Sequence, residues 1–345
     1  LHTALRRQRQ MCIRDRKLTT DHDFADLWNE FNNKKIEFKH SLGKDKKATR
    51  VTGSEVLNSI GESNRFILGG SADLAASTKQ IISNSIYSHK NRSGQSIEFG
   101  IREHAMAAVV NGITLHSNLI GYGSTFLVFS DYMRPSIRLA SLMNLNSVYI
   151  FTHDSIYLGE DGPTHQPIEH LMSLRLIPGL DVIRPANSIE AEYAYQYIFT
   201  KGNNPKSLVL TRQSLDYIET NLSYKNFQDG AYELIKGDDL TIFASGSEVN
   251  LAIEVSKKLK NKSVQIISTP ILNQININTL ENLKINEFVF TLELGRSIGW
   301  QDYIGKVTES FSIETFGESA PLEDLTEYFE FSSEKIAEKI LQYIS

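Results

Sequence analysis

Short apolar runs alternate with amphipathic stretches through most of the chain, and this alternation begins near Thr49. Residues 66–68 form a brief apolar run that Gly69-Gly70 is expected to stop. Residues 102–116 read as a helix with small side chains close together (Ala105, Ala107, Ala108, Gly112), and 119–122 as a strand. Apolar positions recur at helical spacing over 126–143, although Pro135 is expected to kink or divide that helix. Strands are expected at 147–152, 181–183 and 207–211. A helix follows Asn187, with Glu190 three residues on as a capping box. A second unit starts near Gly230. It has strands expected at 240–244, 264–268, 288–292 and 313–316, a helix over 247–260 and a closing amphipathic helix over 332–344. Short apolar strands alternating with helices imply a parallel sheet covered on both faces. The predicted class is therefore α/β with two domains, each a mainly parallel sheet with helices on both faces. Their expected bounds are 49–222 and 228–345, divided by the polar stretch 220–229.

Ahead of these units the pattern changes. Residues 1–17 carry Arg6, Arg7, Arg9, Arg14, Arg16 and Lys17 with little apolar periodicity and no serine. They read as a basic leader, disordered or foreign to the fold, rather than a transit peptide. Residues 18–48 are polar and lysine-rich, and read as a short helix followed by a linker.

Composition narrows the class of function. Of 345 residues 41% are hydrophobic and 22% charged, an ordinary globular balance for two domains. A formal net charge of -5 gives no general attraction to nucleic acid or to an anionic membrane. No apolar run is long enough to span a bilayer. One cysteine, Cys12, excludes a disulfide framework and fits a reducing cytoplasm.

In open α/β sheets ligands sit beyond the carboxyl ends of strands, so polar residues just after a strand carry the chemistry. Three places qualify. In 69–74 (GGSADL) the glycines allow close backbone approach, with Asp73 and Ser77 facing the crevice; a plain loop is an equal reading. In 98–106 (EFGIREHAM) titratable groups crowd the start of a helix expected to be buried. Glu103 there is either a proton-sharing carboxyl or a cap paired with Arg102. The most specific signal is the long loop 152–167 (THDSIYLGEDGPTHQP), with His153, Asp154, Glu160, Asp161 and His165 in few residues. Neither a cysteine nor an i, i+4 histidine pair supports zinc, and proton-carrying histidines fit better. Phe126, Phe129 and Tyr132, spaced by three, are expected on one helix face, as core or as a pocket for a flat ring.

GGSADL, GIREHAMA, the three aromatic residues and THDSIYLGEDGPTHQP occur in the order seen in transketolases. The chain from about Ala48 onward resembles that family's pyrimidine-binding and C-terminal domains. The resemblance implies an enzyme of the pentose phosphate pathway that moves a two-carbon ketol unit between sugar phosphates through thiamine diphosphate. Glu103 would hydrogen-bond the cofactor's pyrimidine ring and share a proton with it, and Phe126, Phe129 and Tyr132 would form its pocket. His165 would act with Glu103 in catalysis and, with Asp161, contact the substrate hydroxyls. Arg50, Ser77, His153 and Arg212 would hold the sugar phosphate, and Asp73 would line the substrate crevice. Magnesium or calcium is implied, with its ligands on a diphosphate-binding domain that this sequence does not show. That domain would come in trans, within a homodimer. A truncated fragment is expected over a split subunit, and alone it should bind the cofactor poorly and be inactive. The alternatives are another thiamine diphosphate enzyme, such as deoxyxylulose phosphate synthase, and an inactive binding module. Tyr157 departs from the family, which often has a small residue there.

Overall fold

The computed structural model describes residues 2–32, 36, 38, 44–82, 86–116 and 119–344. The basic leader is not irregular: residues 2–20 lie in a helix, α1 (His2–Thr20), which meets α2 (His22–Asn32). A run of Arg, Gln, Leu and Met without Gly or Pro favours a helix on propensity alone. Arg14 and Lys17 sit over the rings of Trp28 and Phe24, both at 5.5 Å. The linker expected after α2 falls largely on residues outside those described.

Next come α3 (Thr49–Ser63), β1 (Ile67–Ser71), α4 (Ala75–Thr78), β2 (Ser96–Glu98), α5 (Glu103–His116) and β3 (Ile120–Phe126). They are followed by α6 (Ser130–Leu142), β4 (Val148–Thr152), α7 (His170–Arg175), β5 (Asp181–Ile183), α8 (Ser188–Thr200) and β6 (Lys206–Leu210). The strands form one sheet in the order β2-β1-β3-β4-β6-β5, and every pairing is parallel. One face is covered by α3 and α8 through Leu57, Ile60, Ala194 and Ile198. The other is covered by α5, α6 and α7 through Met106, Val110, Met133, Ile137 and Leu171.

Gly69 and Gly70 do not stop β1; they lie inside it. A Cβ on Gly69 would come within 2.0 Å of the Tyr122 carbonyl oxygen, and one on Gly70 within 1.9 Å of that of Ile97. The glycines therefore serve close strand packing. Pro135 does not divide α6, which runs on through it. Placed one turn in and facing solvent, it removes a single backbone hydrogen bond. The capping box forms by half. Asn187 Oδ1 accepts from the Glu190 amide at 2.9 Å, but the Glu190 carboxylate accepts from the Ala186 amide instead.

After α9 (Tyr224–Gln228) the second sheet begins with β7 (Tyr232–Ile235), β8 (Leu240–Ala244), α10 (Glu248–Lys258) and β9 (Val264–Ser268). It continues through α11 (Ile277–Leu283), β10 (Phe288–Leu292), α12 (Trp300–Ile304), β11 (Glu309–Phe311), α13 (Leu322–Tyr328) and α14 (Ser333–Ile344). The order is β11-β10-β8-β9-β7, with β7 alone antiparallel. The strand expected at 313–316 lies earlier, at β11, and the Ile313 amide turns away to bond the Gly295 carbonyl. The two units share a core: Ile156, Ile168 and Ala186 pack with Ile242, Val249, Phe311 and Ile336. Among the described residues no helix is long and apolar enough to cross a membrane.

Candidate functional site

Because the strands of the first sheet run parallel, their carboxyl ends share one edge. Asp73 and Ser77 follow β1, Glu103 follows β2, Phe126 ends β3, His153 follows β4 and Arg212 follows β6. Two non-glycine residues at this edge adopt left-handed backbone, Asp73 (φ 60°) and His153 (φ 59°). Such conformations in non-glycine residues collect where a side chain must be aimed at something.

Arg50 reaches the edge from α3. The Thr49 amide donates to Thr211 Oγ1 at 3.1 Å and the Thr211 amide to Thr49 Oγ1 at 2.8 Å, which ties the start of α3 to the end of β6. Arg50 Nη1 donates to the Ser77 carbonyl and lies 3.4 Å from His153 Nε2. The other ring nitrogen of His153 lies 2.8 Å from Thr152 Oγ1. Burial, then the charge of Arg212, pulls the Arg50 guanidinium below its ordinary pKa. Burial, then Arg50, Arg212 and His165, holds the His153 imidazole down to about 3. The two guanidinium groups thus repel each other, and His153 beside them stays neutral. Among the described residues, Arg50 Nε and both amide atoms of Gln213 are buried without a hydrogen-bond partner. Two guanidinium groups close together, one with an unfilled donor, are suited to an anion, which forked guanidinium groups hold well.

The cluster has a consequence for stability. Unfolded His153 takes up a proton near its ordinary value of 6.5, whereas the folded protein resists until about 3. Between those values the unfolded chain binds more protons, so stability falls as pH drops. The slope is at most about 1.4 kcal/mol per pH unit. Urea unfolding of His153→Gln at pH 7 and pH 4.5 should show a smaller loss than the parent chain; equal losses would rule the account out.

Beside the cluster is an aromatic wall. Phe126, Phe129 and Tyr132 do not share a helix face, since Phe126 ends β3, Phe129 lies in a short 3-10 turn and Tyr132 in α6. They meet nonetheless, Phe126–Phe129 at 5.9 Å and Phe129–Tyr132 at 6.1 Å between ring centroids, both stacked. His153 lies 3.7 Å from Phe126, and His165 stands edge-on to Phe129 at 5.5 Å. Tyr132 is 63% exposed, so one side of the wall is open.

Glu103 is the first residue of α5 and half-buried. Arg102 does not pair with it; its guanidinium donates to the Phe99 carbonyl at 2.9 Å. Among the described residues the Glu103 carboxylate has no hydrogen-bond partner. The helix itself is not buried as expected. Only Met106, Ala107 and Val110 face the core, while Val109 and Leu115 are exposed. Its small residues leave an open face.

Asp161 is exposed, and His165 is half-buried with Nδ1 2.9 Å from Thr164 Oγ1. His170 lies between two carboxylates, 3.2 Å from Asp131 and 3.8 Å from Glu169, and ties α7 to α6. The residues that support the loop escaped sequence reading. Arg184, fully buried, donates to Asp154 at 2.7 and 3.0 Å, to the Ser245 carbonyl at 2.9 Å and to Glu248. Arg175 forks Glu293 at 2.7 Å twice. The Gly246-Ser247 turn neither caps α10 nor lies open to an anion. A Cβ at Gly246 would come 2.7 Å from the Arg184 guanidinium, which fills that space.

The family model of the transketolase pyrimidine-binding domain matches residues 45–217, and that of the transketolase-like C-terminal domain matches 230–332. The chain belongs to the transketolase family. Similar transketolases include that of Halalkalibacterium halodurans, 41% identical over 84% of this chain and 45% of its own length. The Bacillus subtilis transketolase is 40% identical over 86% of this chain and 47% of its own. The solved transketolase of Campylobacter jejuni superposes with a TM-score of 0.85 at 34% identity, over 92% of this chain and 50% of that one. A split gene transketolase solved as an inactive β4 tetramer shares the fold at a TM-score of 0.73 and 21% identity, over 87% of this chain and 99% of that one. The chain therefore spans about half the length of the curated transketolases it matches.

Proposed function

We propose that this chain forms the ring-binding and substrate-binding parts of a transketolase. The enzyme would pass a two-carbon ketol unit from a ketose phosphate to an aldose phosphate. The observation that carries this is the junction at one sheet edge of an aromatic wall, a half-buried carboxylate and two arginines beside a neutral histidine. Thiamine diphosphate, when bound, supplies the nucleophilic carbon that such a transfer needs.

The residues present fit the ring half of that cofactor. Phe126, Phe129 and Tyr132 offer a flat apolar surface with an open side, and Glu103 has a carboxylate without a partner among the described residues. Glu103 holds a proton at the pyrimidine ring, and the wall keeps water from it. Arg50, Ser77, His153 and Arg212 hold the substrate phosphate, Asp73 lines its crevice, and Asp161 and His165 meet its hydroxyls. His165 stabilises or moves the proton of the developing alkoxide. The diphosphate and its magnesium or calcium are held by residues outside this chain, in the half of the relatives' length that it does not match. The exposed apolar face of α5 and α6, with Val109, Leu115, Leu139 and Leu142, supports an assembly in which another subunit closes the site. A cytoplasmic setting fits the single cysteine and the sugar phosphate substrates.

The test is to mix the chain with a polypeptide carrying the amino-terminal half of a related transketolase. Xylulose 5-phosphate and ribose 5-phosphate are then supplied with thiamine diphosphate and magnesium. Ketol transfer that needs both chains is expected. In a parallel assay supplied with pyruvate and glyceraldehyde phosphate, condensation of that pair without ketol transfer in the first would replace this reading with the deoxyxylulose phosphate synthase one.

A further inference from the structure

The loop bearing His153, Asp161 and His165 is held by the second domain as well as by its own. Ile156 and Ile168, at its two ends, are buried in the core shared with β8, α10 and β11, and Tyr157 packs against that core. The Arg296 amide donates to the Ile168 carbonyl at 3.2 Å. Between these anchors, residues 317–319 of the second domain lie along the loop as a strap. Ser319 Oγ donates to the Glu160 carbonyl at 2.5 Å. Glycine at 162, with φ 77°, brings the loop against Ser319, where a Cβ would be 3.1 Å from the serine Cβ.

The centre of this contact is Gln166, 2% exposed and next to His165. Its side-chain amide donates to the Ile156 carbonyl at 3.2 Å and the Gly159 carbonyl at 2.9 Å, closing the loop on itself. It also donates to the Glu318 carbonyl at 2.9 Å, closing the loop on the strap. The Gln166 side chain occupies the space a Cβ on Gly317 would need, 1.7 Å from its amide oxygen. His165 itself has little to fix it beyond Thr164 and the edge-on rings. Its place is set by the backbone that Gln166 and the strap hold.

We propose that Gln166, gripped by the strap 317–319, is a positioning residue through which the second domain sets His165 against the aromatic wall. This rests on the reading of 153–165 as the substrate loop, and it gives the second domain a part in the site. Loss of the strap frees the loop while both sheets and their cores stay in place.

Gly317→Ala in the full chain forces Gln166 out of its seat, and Ser319→Ala removes one strap bond. Backbone amide exchange and histidine ring signals are read by NMR, beside thermal unfolding. The His165 amide, which bonds the Gly162 carbonyl at 3.0 Å, is expected to exchange about tenfold faster in Gly317→Ala. Its ring signals should shift, with the melting point within a few degrees of the parent. Ser319→Ala should move both in the same direction by less. Should Gly317→Ala fail to fold, Gln166→Ala takes its place with the same expected exchange and ring shifts. Unchanged exchange and unchanged His165 signals in the folded variants overturn the proposal. These readings need neither cofactor nor partner chain. Absence of ketol transfer in the mixed enzyme would count against the functional reading alone.

Discussion

Replacing Arg184 with methionine is expected to destabilise the chain by about 3–5 kcal/mol, the largest effect of a single side chain outside the site. Burial alone would lower this guanidinium's pKa, but Glu248, Asp154 and Glu293 more than offset that and hold it above its ordinary value. Asp154 and Glu248 are themselves fully buried. Methionine fills much of the volume and leaves both carboxylates in the interior without their cation. The loss is therefore the cost of stranded charge rather than the worth of an ion pair. The pH dependence separates the two. A buried carboxylate without its cation has a raised pKa, so the folded state binds more protons than the unfolded one and stability falls as pH rises. Urea unfolding should show a larger deficit at pH 8 than at pH 5. A deficit under about 1 kcal/mol, flat with pH, would mean that water or repacking satisfies Asp154 and Glu248.

That network also marks where sequence reading stopped. The alternation of apolar runs and amphipathic stretches carried the fold class, because parallel strands buried on both faces need continuous apolar runs. It missed β7, an antiparallel strand in which only Tyr232 is fully buried. The loop 152–167 was legible because it clusters polar and titratable residues directly after a strand. Phe126, His153 and His165 do meet at the carboxyl edge of the first sheet. Arg184, Glu248 and Glu293 were not legible. Each is an isolated charge in its own segment, and only the docking of two sheets brings them together. Helix burial was misjudged at α5 for a related reason. Small and apolar residues mark a face that something covers, and Ala105, Ala108 and Gly112 face away from this chain's own core. Phe126, Phe129 and Tyr132 came together as expected but by another route. A strand end, a 3-10 turn and a helix supply them, which a fixed helical period cannot anticipate.

Glu103→Gln is the substitution expected to cost the proposed reaction most, about 10²–10⁴-fold in turnover of the mixed enzyme. Its carboxylate sits at the amino terminus of α5, where the helix dipole favours negative charge. Covered by the pyrimidine ring and the partner subunit, it would lose water and hold a proton with the ring nitrogen. Glutamine keeps the shape and can still hydrogen-bond, but it cannot exchange that proton, so the loss reports proton sharing rather than packing. Binding of inorganic phosphate to the Arg50–His153–Arg212 cluster lies elsewhere along the sheet edge and should be unchanged. The unfolding midpoint should fall only slightly, reflecting the roughly 0.3–1 kcal/mol that the helix dipole gives an N-terminal carboxylate. Full turnover in the variant would remove Glu103 from the mechanism. A loss of phosphate affinity equal to the loss of turnover would show instead that the substitution had disturbed the whole edge of the sheet.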